Sequence, residues 1–310
     1  MSSLHAVYGH VPPGLADIPA GSLQTSPRIP SSIPLSTVDP ANLDGIVLYA
    51  PENTLERKYV LAQAVLAVKP DGALTVLAPN TKGGTRLAKE LSAFGCNVDM
   101  SSQRHHRIVR CRRPAALNMP GISDALEMGS PRLDPALDLW TQPGLFSWNR
   151  ADPGSSLLMH HLPPLEGSGA DLGCGYGLLA RAVLTEGTCR KLILIDIDRR
   201  ALDMARCNVA SANFAGKEIE FLWTDVRVPS RLPHNLDFVV MNPPFHDGGV
   251  EDRTLGRIFI ERAAEMLRQG GVLWLTANRH LPYEEPLELA FANMEQIAQK
   301  QGYKIYKAHR

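Results

Sequence analysis

Five cysteines stand in 310 residues, and none forms a C-x-x-C pair. Cys96, Cys111, Cys174, Cys189 and Cys207 are scattered, which excludes both a disulfide framework and a zinc-ribbon pattern. They read as buried or incidental thiols of a reducing compartment. No apolar run approaches the length needed to span a bilayer. The N-terminus lacks the basic-then-apolar order of a signal peptide, so a cytoplasmic location is expected, with no membrane partner. Net charge is absent too: 32 Lys and Arg balance 32 Asp and Glu. The global basic footprint usual for nucleic-acid binders is therefore missing. His105-His106 and His160-His161 have no further ligands at useful spacing, so no metal is expected. There is no G-x-S-x-G elbow for a nucleophilic hydrolase and no G-x-G-x-x-G dinucleotide fingerprint.

What the chain does have begins with local charge. Arg104, His105, His106, Arg107, Arg110, Arg112 and Arg113 form one basic cluster, and Lys300, Lys304, Lys307, His309 and Arg310 form another. Each is either a solvated face or a phosphate contact. The length suggests two domains. Residues 1–40 form a Pro/Ser-rich leader, read as an extended arm outside the core. Order is expected to begin at Gly45–Ala50, a buried strand. A helix over 55–68, a strand over 72–78, a helix over 85–94 and a brief strand over 97–100 follow. The loop-rich stretch 114–143 holds the boundary, near residue 134. A second alternating series fills 135–310 and closes on an expected edge strand at 302–307. Alternating strands and helices give a parallel α/β sheet in each half. Ala50-Pro51-Glu52-Asn53 is expected to stand where a cofactor loop would be, which leaves the first half without a ligand site.

The most informative stretch is Asn242-Pro243-Pro244-Phe245, directly after the apolar run 236–241. Two prolines remove two backbone donors and fix two φ angles, and they hold Asn242 outside the helical region. The result is either a strand-ending turn with a core Phe or a rigid corner that grips a planar group bearing an NH2. Upstream, Asp171-Leu172-Gly173-Cys174-Gly175-Tyr176-Gly177 joins a strand to a helix. Its glycines permit positive φ and close approach to a ligand. A carboxylate two residues before the first glycine would repel a pyrophosphate and attract a cation. That favours S-adenosylmethionine (AdoMet) over NAD. Asp196, 19 residues after Gly177, closes the next apolar strand and suits ribose hydroxyls. Asp225 follows the strand after that and suits the adenine amine. Asp198 is a weaker candidate that could instead cap a helix. Asp171, Gly173, Gly175, Gly177, Asp196, Asp225 and Asn242 form an ordered set at strand C-terminal ends, where open parallel sheets bind ligands.

With these residues assembled, the second half resembles a class I AdoMet-dependent methyltransferase. Asn242–Gly248 resembles the extended motif of the bacterial ribosomal RNA guanine-N2 methyltransferases, nearest to the small-subunit methyltransferase C family. Pro143-Gly144-Leu145-Phe146-Ser147, with Asp152 and Gly154, resembles the segment before its cofactor loop. Residues 277–283 and 304–307 resemble its late segments. The resemblance implies two Rossmann-like methyltransferase domains. The first, 41–134, would be degenerate and support RNA recognition and folding. The second, 135–310, would be a seven-stranded catalytic sheet. It implies methyl transfer from AdoMet to the N2 amine of a guanine in ribosomal RNA, with 16S RNA the nearer expectation. Asn242, Pro243, Pro244 and Phe245 would form the catalytic corner, and His246 and Asp247 would shape the loop or assist. The partner would be ribosomal RNA or a ribosomal subunit; the sequence leaves the oligomeric state open, with a monomer favoured. Adenine-N6 and protein glutamine-N5 methylation use a similar corner but usually end it in Tyr. A non-catalytic RNA-binding protein that kept the fold is the alternative of another class. The sequence departs from the family in its glycine-rich strand Gly167–Asp171 and in Trp148-Asn149-Arg150.

Overall fold

The computed structural model describes residues 3–310 apart from Gly187, Asn213, Phe245, Gly248, Gly249 and Asp252; of residues 246, 247, 250, 251 and 253 it describes the backbone alone. The chain forms two compact units, residues 1–131 with 142–144, and residues 132–141 with 145–310.

The first unit holds β1 (His5–Tyr8), β2 (Leu23–Gln24), β3 (Leu43–Tyr49), α1 (Thr54–Ala67), β4 (Val68–Pro79), α2 (Leu87–Ala93), β5 (Val98–Gln103), β6 (His106–Arg112) and α3 (Met119–Gly129). Its sheet runs β2-β1-β3-β4-β6-β5. Helix α1 starts where the Asn53 side chain accepts from the Leu55 and Glu56 amides, at 3.0 and 3.1 Å. It buries Val60, Leu61, Ala64 and Val65 in the core. Two expectations are corrected here. The leader is not outside the fold: β1 lies between β2 and β3, and Leu15 and Leu35 are buried. The stretch 114–143 is not all loop, because α3 buries Ile122 and Ala125.

The second unit holds β7 (Arg132–Asp134), β8 (Leu139–Thr141), α4 (Pro153–His161), β9 (Gly167–Leu172), α5 (Leu178–Glu186), β10 (Cys189–Asp196), α6 (Arg199–Ser211), β11 (Glu218–Trp223) and β12 (Leu236–Met241). It continues through β13 (His246–Asp247), β14 (Val250–Glu251), α7 (Arg253–Met266), β15 (Leu267–Asn278), α8 (Glu284–Ala290), β16 (Asn293–Lys300) and β17 (Tyr303–His309). The seven-stranded sheet runs β11-β10-β9-β12-β15-β17-β16, parallel through β15 and antiparallel at β17 and β16. Leu192–Ile195 and Phe238–Met241 are buried on both faces, as strands covered by helices on either side must be. The closing strand β17 is not at the edge as expected: it pairs with β15 on one side and β16 on the other. Gly169 is fixed by packing, since a Cβ there would lie 2.2 Å from the Phe238 ring. That accounts for glycine in a central strand.

The two sheets share a pattern down to single residues. Order β1-β3-β4-β6-β5 repeats β9-β12-β15-β17-β16, with the same two parallel and two antiparallel pairings. Asp44 accepts from the Leu4 amide (2.6 Å) and pairs with Lys69 (2.9 Å). Asp237 accepts from the Ser168 amide and pairs with Arg268, both at 2.7 Å. Strand β3 is therefore the counterpart of β12. This corrects the reading that Ala50-Pro51-Glu52-Asn53 stands where a cofactor loop would be. Counting from Asp44 and Asp237, Tyr49 falls at the place of Asn242, and Ala50-Pro51 at that of Pro243-Pro244. The glycine-loop strand β9 matches β1. In the first unit that corner is filled by Arg57, fully buried, whose Nη1 donates to the Pro51 and Glu52 carbonyls at 3.2 and 2.8 Å. Glu90 holds the rest of the guanidinium through two 2.8 Å bonds.

Candidate active site

All of the assembled motif residues lie in the second unit, at the C-terminal edge of its sheet. The neighbours β9 and β12 run outwards to opposite edges of the strand order. The crevice beside their ends is where such sheets take ligands.

The loop after β9 folds back on the end of β10, with the Gly173 and Cys174 amides donating to the Ile195 carbonyl at 2.8 and 3.0 Å. Gly173, Gly175 and Gly177 all have positive φ, and a Cβ on Gly175 would point into open space. Asp196 Oδ2 accepts from the Gly175 amide at 2.8 Å, and its Oδ1 from the Asp198 amide at 2.8 Å. The carboxylate expected to meet ribose thus also shapes the loop. Asp198 caps α6 through the Arg200 amide (3.1 Å), the alternative left open for it.

Asp171 lies deeper than its spacing suggests. It is fully buried, its Oδ2 accepts from the Ala180 amide at 3.0 Å, and its Oδ1 has no partner among the described residues. Burial pushes its carboxyl up to about 8, the Ala180 bond opposing and the charge of Asp196 adding. Asp225 accepts from the Arg227 amide and Nε, each at 2.9 Å. Burial raises its carboxyl, but the Arg227 bonds outweigh that and hold it below the usual range.

Asn242 is half-buried directly beyond β12, with Pro243 buried and Pro244 exposed. Its Nδ2 donates to Asp152 Oδ2 at 2.9 Å and to Ser155 Oγ at 2.8 Å. Both amide hydrogens are thereby committed, and Oδ1 is the end left to accept. Asp152 Oδ2 also accepts from the Ser155 amide at 2.7 Å, starting α4 with Pro153 in its first turn. A Cβ on Gly154 would lie 2.5 Å from Tyr303 Cδ1, so that ring packs against the turn. Phe245 and Gly248 lie outside the described residues. His246–Asp247 pairs antiparallel with Val250–Glu251.

The residues that the sequence reasoning missed tie the loop down. Buried Asn208 donates to the Trp140 and Tyr176 carbonyls at 2.9 and 2.8 Å and accepts from the Trp140 amide at 2.6 Å. The Tyr176 hydroxyl donates to the Ser147 carbonyl at 3.3 Å. Burial, with Asp152 and Asp134 nearby, pushes that hydroxyl up to about 12, so it stays a donor at neutral pH. Nothing local in the sequence signals these contacts; of the residues around them, Asp152 and Ser147 enter only through the family resemblance. Among the described residues, no three His, Cys, Asp or Glu side chains are grouped to hold a metal ion, and no helix is long and apolar enough to cross a membrane.

The site fits AdoMet on its own features: an unpartnered buried carboxylate oxygen under the loop, an open face at Gly175, and carboxylates at the next two strand ends.

Residues 136–307 match the family model described as methyltransferase small domain. Ribosomal RNA small subunit methyltransferase C of Pseudomonas entomophila is 31% identical over 272 residues, covering 86% of this chain and 79% of that protein. The Pseudomonas aeruginosa protein of the same name is 32% identical over 266 residues, covering 85% and 78%. Among solved structures, the T. thermophilus 16S rRNA N2 G1207 methyltransferase in complex with AdoMet and guanosine superposes with a TM-score of 0.74, covering 90% of this chain and 76% of that one at 23% identity. The chain belongs to the ribosomal RNA small subunit methyltransferase C family, and its second unit is a class I methyltransferase fold.

Proposed function

We propose that this chain transfers a methyl group from AdoMet to the exocyclic N2 amine of a guanine in 16S ribosomal RNA. The observation that carries the reading is the Asn242 amide, held with both hydrogens turned inward and its oxygen left to receive an amine. The relatives are named for small-subunit ribosomal RNA methylation, and the T. thermophilus structure is of an N2 methyltransferase with guanosine bound.

Asp171, Gly173, Gly175 and Gly177 would hold the amino acid end of AdoMet, Asp196 its ribose hydroxyls and Asp225 its adenine amine. Arg227 donates to Asp225 Oδ1 through its amide and Nε and to Oδ2 through Nε, each at 2.9 Å, so the adenine amine would share an oxygen with Arg227. Bound AdoMet supplies a methyl group already activated by a sulfonium. The protein's part is then to hold the acceptor in line, which is where most of the rate comes from. Asn242 Oδ1 and the Pro243 carbonyl would accept the two N–H bonds of the guanine amine. That favours a pyramidal nitrogen whose lone pair is less delocalised into the ring. Phe245 would stack on the base, worth roughly 1–3 kcal/mol, once the base has left its own stack. After the transfer the nitrogen is cationic and acidic and gives its proton to water, so no strong base is needed. The Pro-Pro pair keeps the carbonyl and the amide in one rigid frame.

Asn242→Ala is the test. It should abolish transfer to small-subunit RNA while the AdoMet dissociation constant, measured by calorimetry, stays nearly unchanged. Undiminished turnover in that variant would overturn the assignment.

A further inference from the structure

We infer that Asp152 is a positioning residue for the reaction: its carboxylate, with the Ser155 hydroxyl, dictates which end of the Asn242 amide meets the acceptor amine. The inference rests on the amine-methylation reading above and concerns how that corner is set.

An amide side chain is ambiguous. Rotated by half a turn, Asn242 would present two donors to an amine that also donates, and the contact would be repulsive. Nothing in the Asn-Pro-Pro corner itself forbids that rotation, since the prolines fix backbone angles only. Asp152 forbids it. The Asp152 oxygen that faces it, Oδ2, already accepts from the Ser155 amide at 2.7 Å, so the end of Asn242 that meets it is the NH2. The bond is 2.9 Å and joins residues 90 apart in the chain. Ser155 could take either role. It follows the choice made by Asp152 and receives the second amide hydrogen at 2.8 Å.

The pair is built as a fixed fixture. Asp152 and Ser155 are 5% and 6% exposed. The Asp152 carboxylate is held by the Ser155 amide at 2.7 Å, and its own carbonyl accepts from the Ser156 amide and hydroxyl, both at 2.9 Å. Tyr303 lies on the bare face of Gly154 between them, with its hydroxyl held up chiefly by burial and then by the Asp152 charge. A helix cap alone requires one acceptor facing one amide. Here the same oxygen also reaches across to the end of another strand.

The experiment uses the full chain and separates the cap from the positioning role. Asp152→Ser keeps a good cap, since Ser and Asp are equal there, but its shorter hydroxyl no longer serves Asn242 as well, and the amide is free to turn round. The turnover number should fall by about a hundredfold. The AdoMet dissociation constant and the thermal midpoint should stay at wild-type values, and the RNA KM should move less than kcat. Asp152→Asn restores the reach: the Ser155 amide, which donates to the same oxygen, holds the new carbonyl oxygen in the place of Oδ2, where it again accepts from Asn242 Nδ2. It should recover at least about tenfold over D152S. Wild-type turnover in D152S, or no recovery in D152N, overturns the inference. If D152S lowers the thermal midpoint, turnover is read at a temperature below both midpoints and the same two outcomes decide. If the wild-type chain methylates an amine other than guanine N2 and the D152S loss and its recovery in D152N persist, the guanine reading fails and the positioning role stands.

Discussion

Replacing Asp171 by Asn should make the second unit more stable as the pH rises. Asp171 is fully buried beneath the glycine loop, with one carboxylate oxygen on the Ala180 amide and the other unpartnered among the described residues. Burial lifts its carboxyl from an ordinary 3.8 to about 8. In the unfolded chain the group ionises near its ordinary value. Folding at intermediate pH therefore takes up a proton, and its free energy becomes less favourable by about 1.36 kcal/mol per pH unit. The stability is fully present below the unfolded value and is lost as the pH rises through the folded one. From about pH 6 to about pH 8 the wild-type unit should lose roughly 2 kcal/mol on this account. The substituted amide cannot ionise, and its carbonyl still accepts from Ala180. All other titrating groups are common to both proteins and cancel in the difference. Urea unfolding without AdoMet, followed by tryptophan fluorescence, is a suitable assay: Trp140, Trp148, Trp223 and Trp274 all lie in the second unit. The advantage of D171N over wild type should grow by roughly 2 kcal/mol between the two pH values. Parallel pH dependences would show that Asp171 is charged in the folded protein, and the electrostatic account of the loop would be wrong.

Asp196→Ala should raise the AdoMet dissociation constant by about tenfold or more, read by calorimetry, since it removes an ionised acceptor worth about 1.5–3 kcal/mol and frees the Gly175 amide. In the first unit, Glu90→Gln should cost about 3–5 kcal/mol by leaving the buried Arg57 charge uncompensated. Replacing both residues by Met should recover most of that loss in chemical unfolding followed by circular dichroism.

The Asn-Pro-Pro corner and the glycine loop were legible as local structure because their signals are local. Prolines at 243 and 244 and glycines at 173, 175 and 177 constrain their own backbones wherever they occur. Asp196 was legible because it closes the uninterrupted apolar run Leu192–Ile195, and Asp225 because it follows Phe221-Leu222-Trp223 by one residue. Other parts were not. Strand β1 has four residues among prolines and serines, and its place in the sheet comes from pairing with β3, 40 residues on. Strand β16 reads Asn-Met-Glu-Gln-Ile-Ala-Gln-Lys, and its partly buried Met294, Ile297 and Ala298 do not alternate, so β17 passed for an edge. The match between Tyr49 and Asn242 needed the shared Asp44 and Asp237 bonds to fix the register. The Asp152 contact with Asn242 is a tertiary bond that no window of sequence contains. The depth of Asp171 and the grip of Arg227 on Asp225 likewise depend on packing rather than spacing.

The central claim is methylation of a guanine N2 amine in small-subunit ribosomal RNA. The most direct measurement deletes the gene and compares the modified nucleosides of both ribosomal RNAs by mass spectrometry. The account predicts that one N2-methylguanosine disappears from 16S RNA and returns when the wild-type chain, but not its N242A variant, is supplied. An unchanged 16S N2-methylguanosine content, or loss of a different methylated nucleoside, would contradict it.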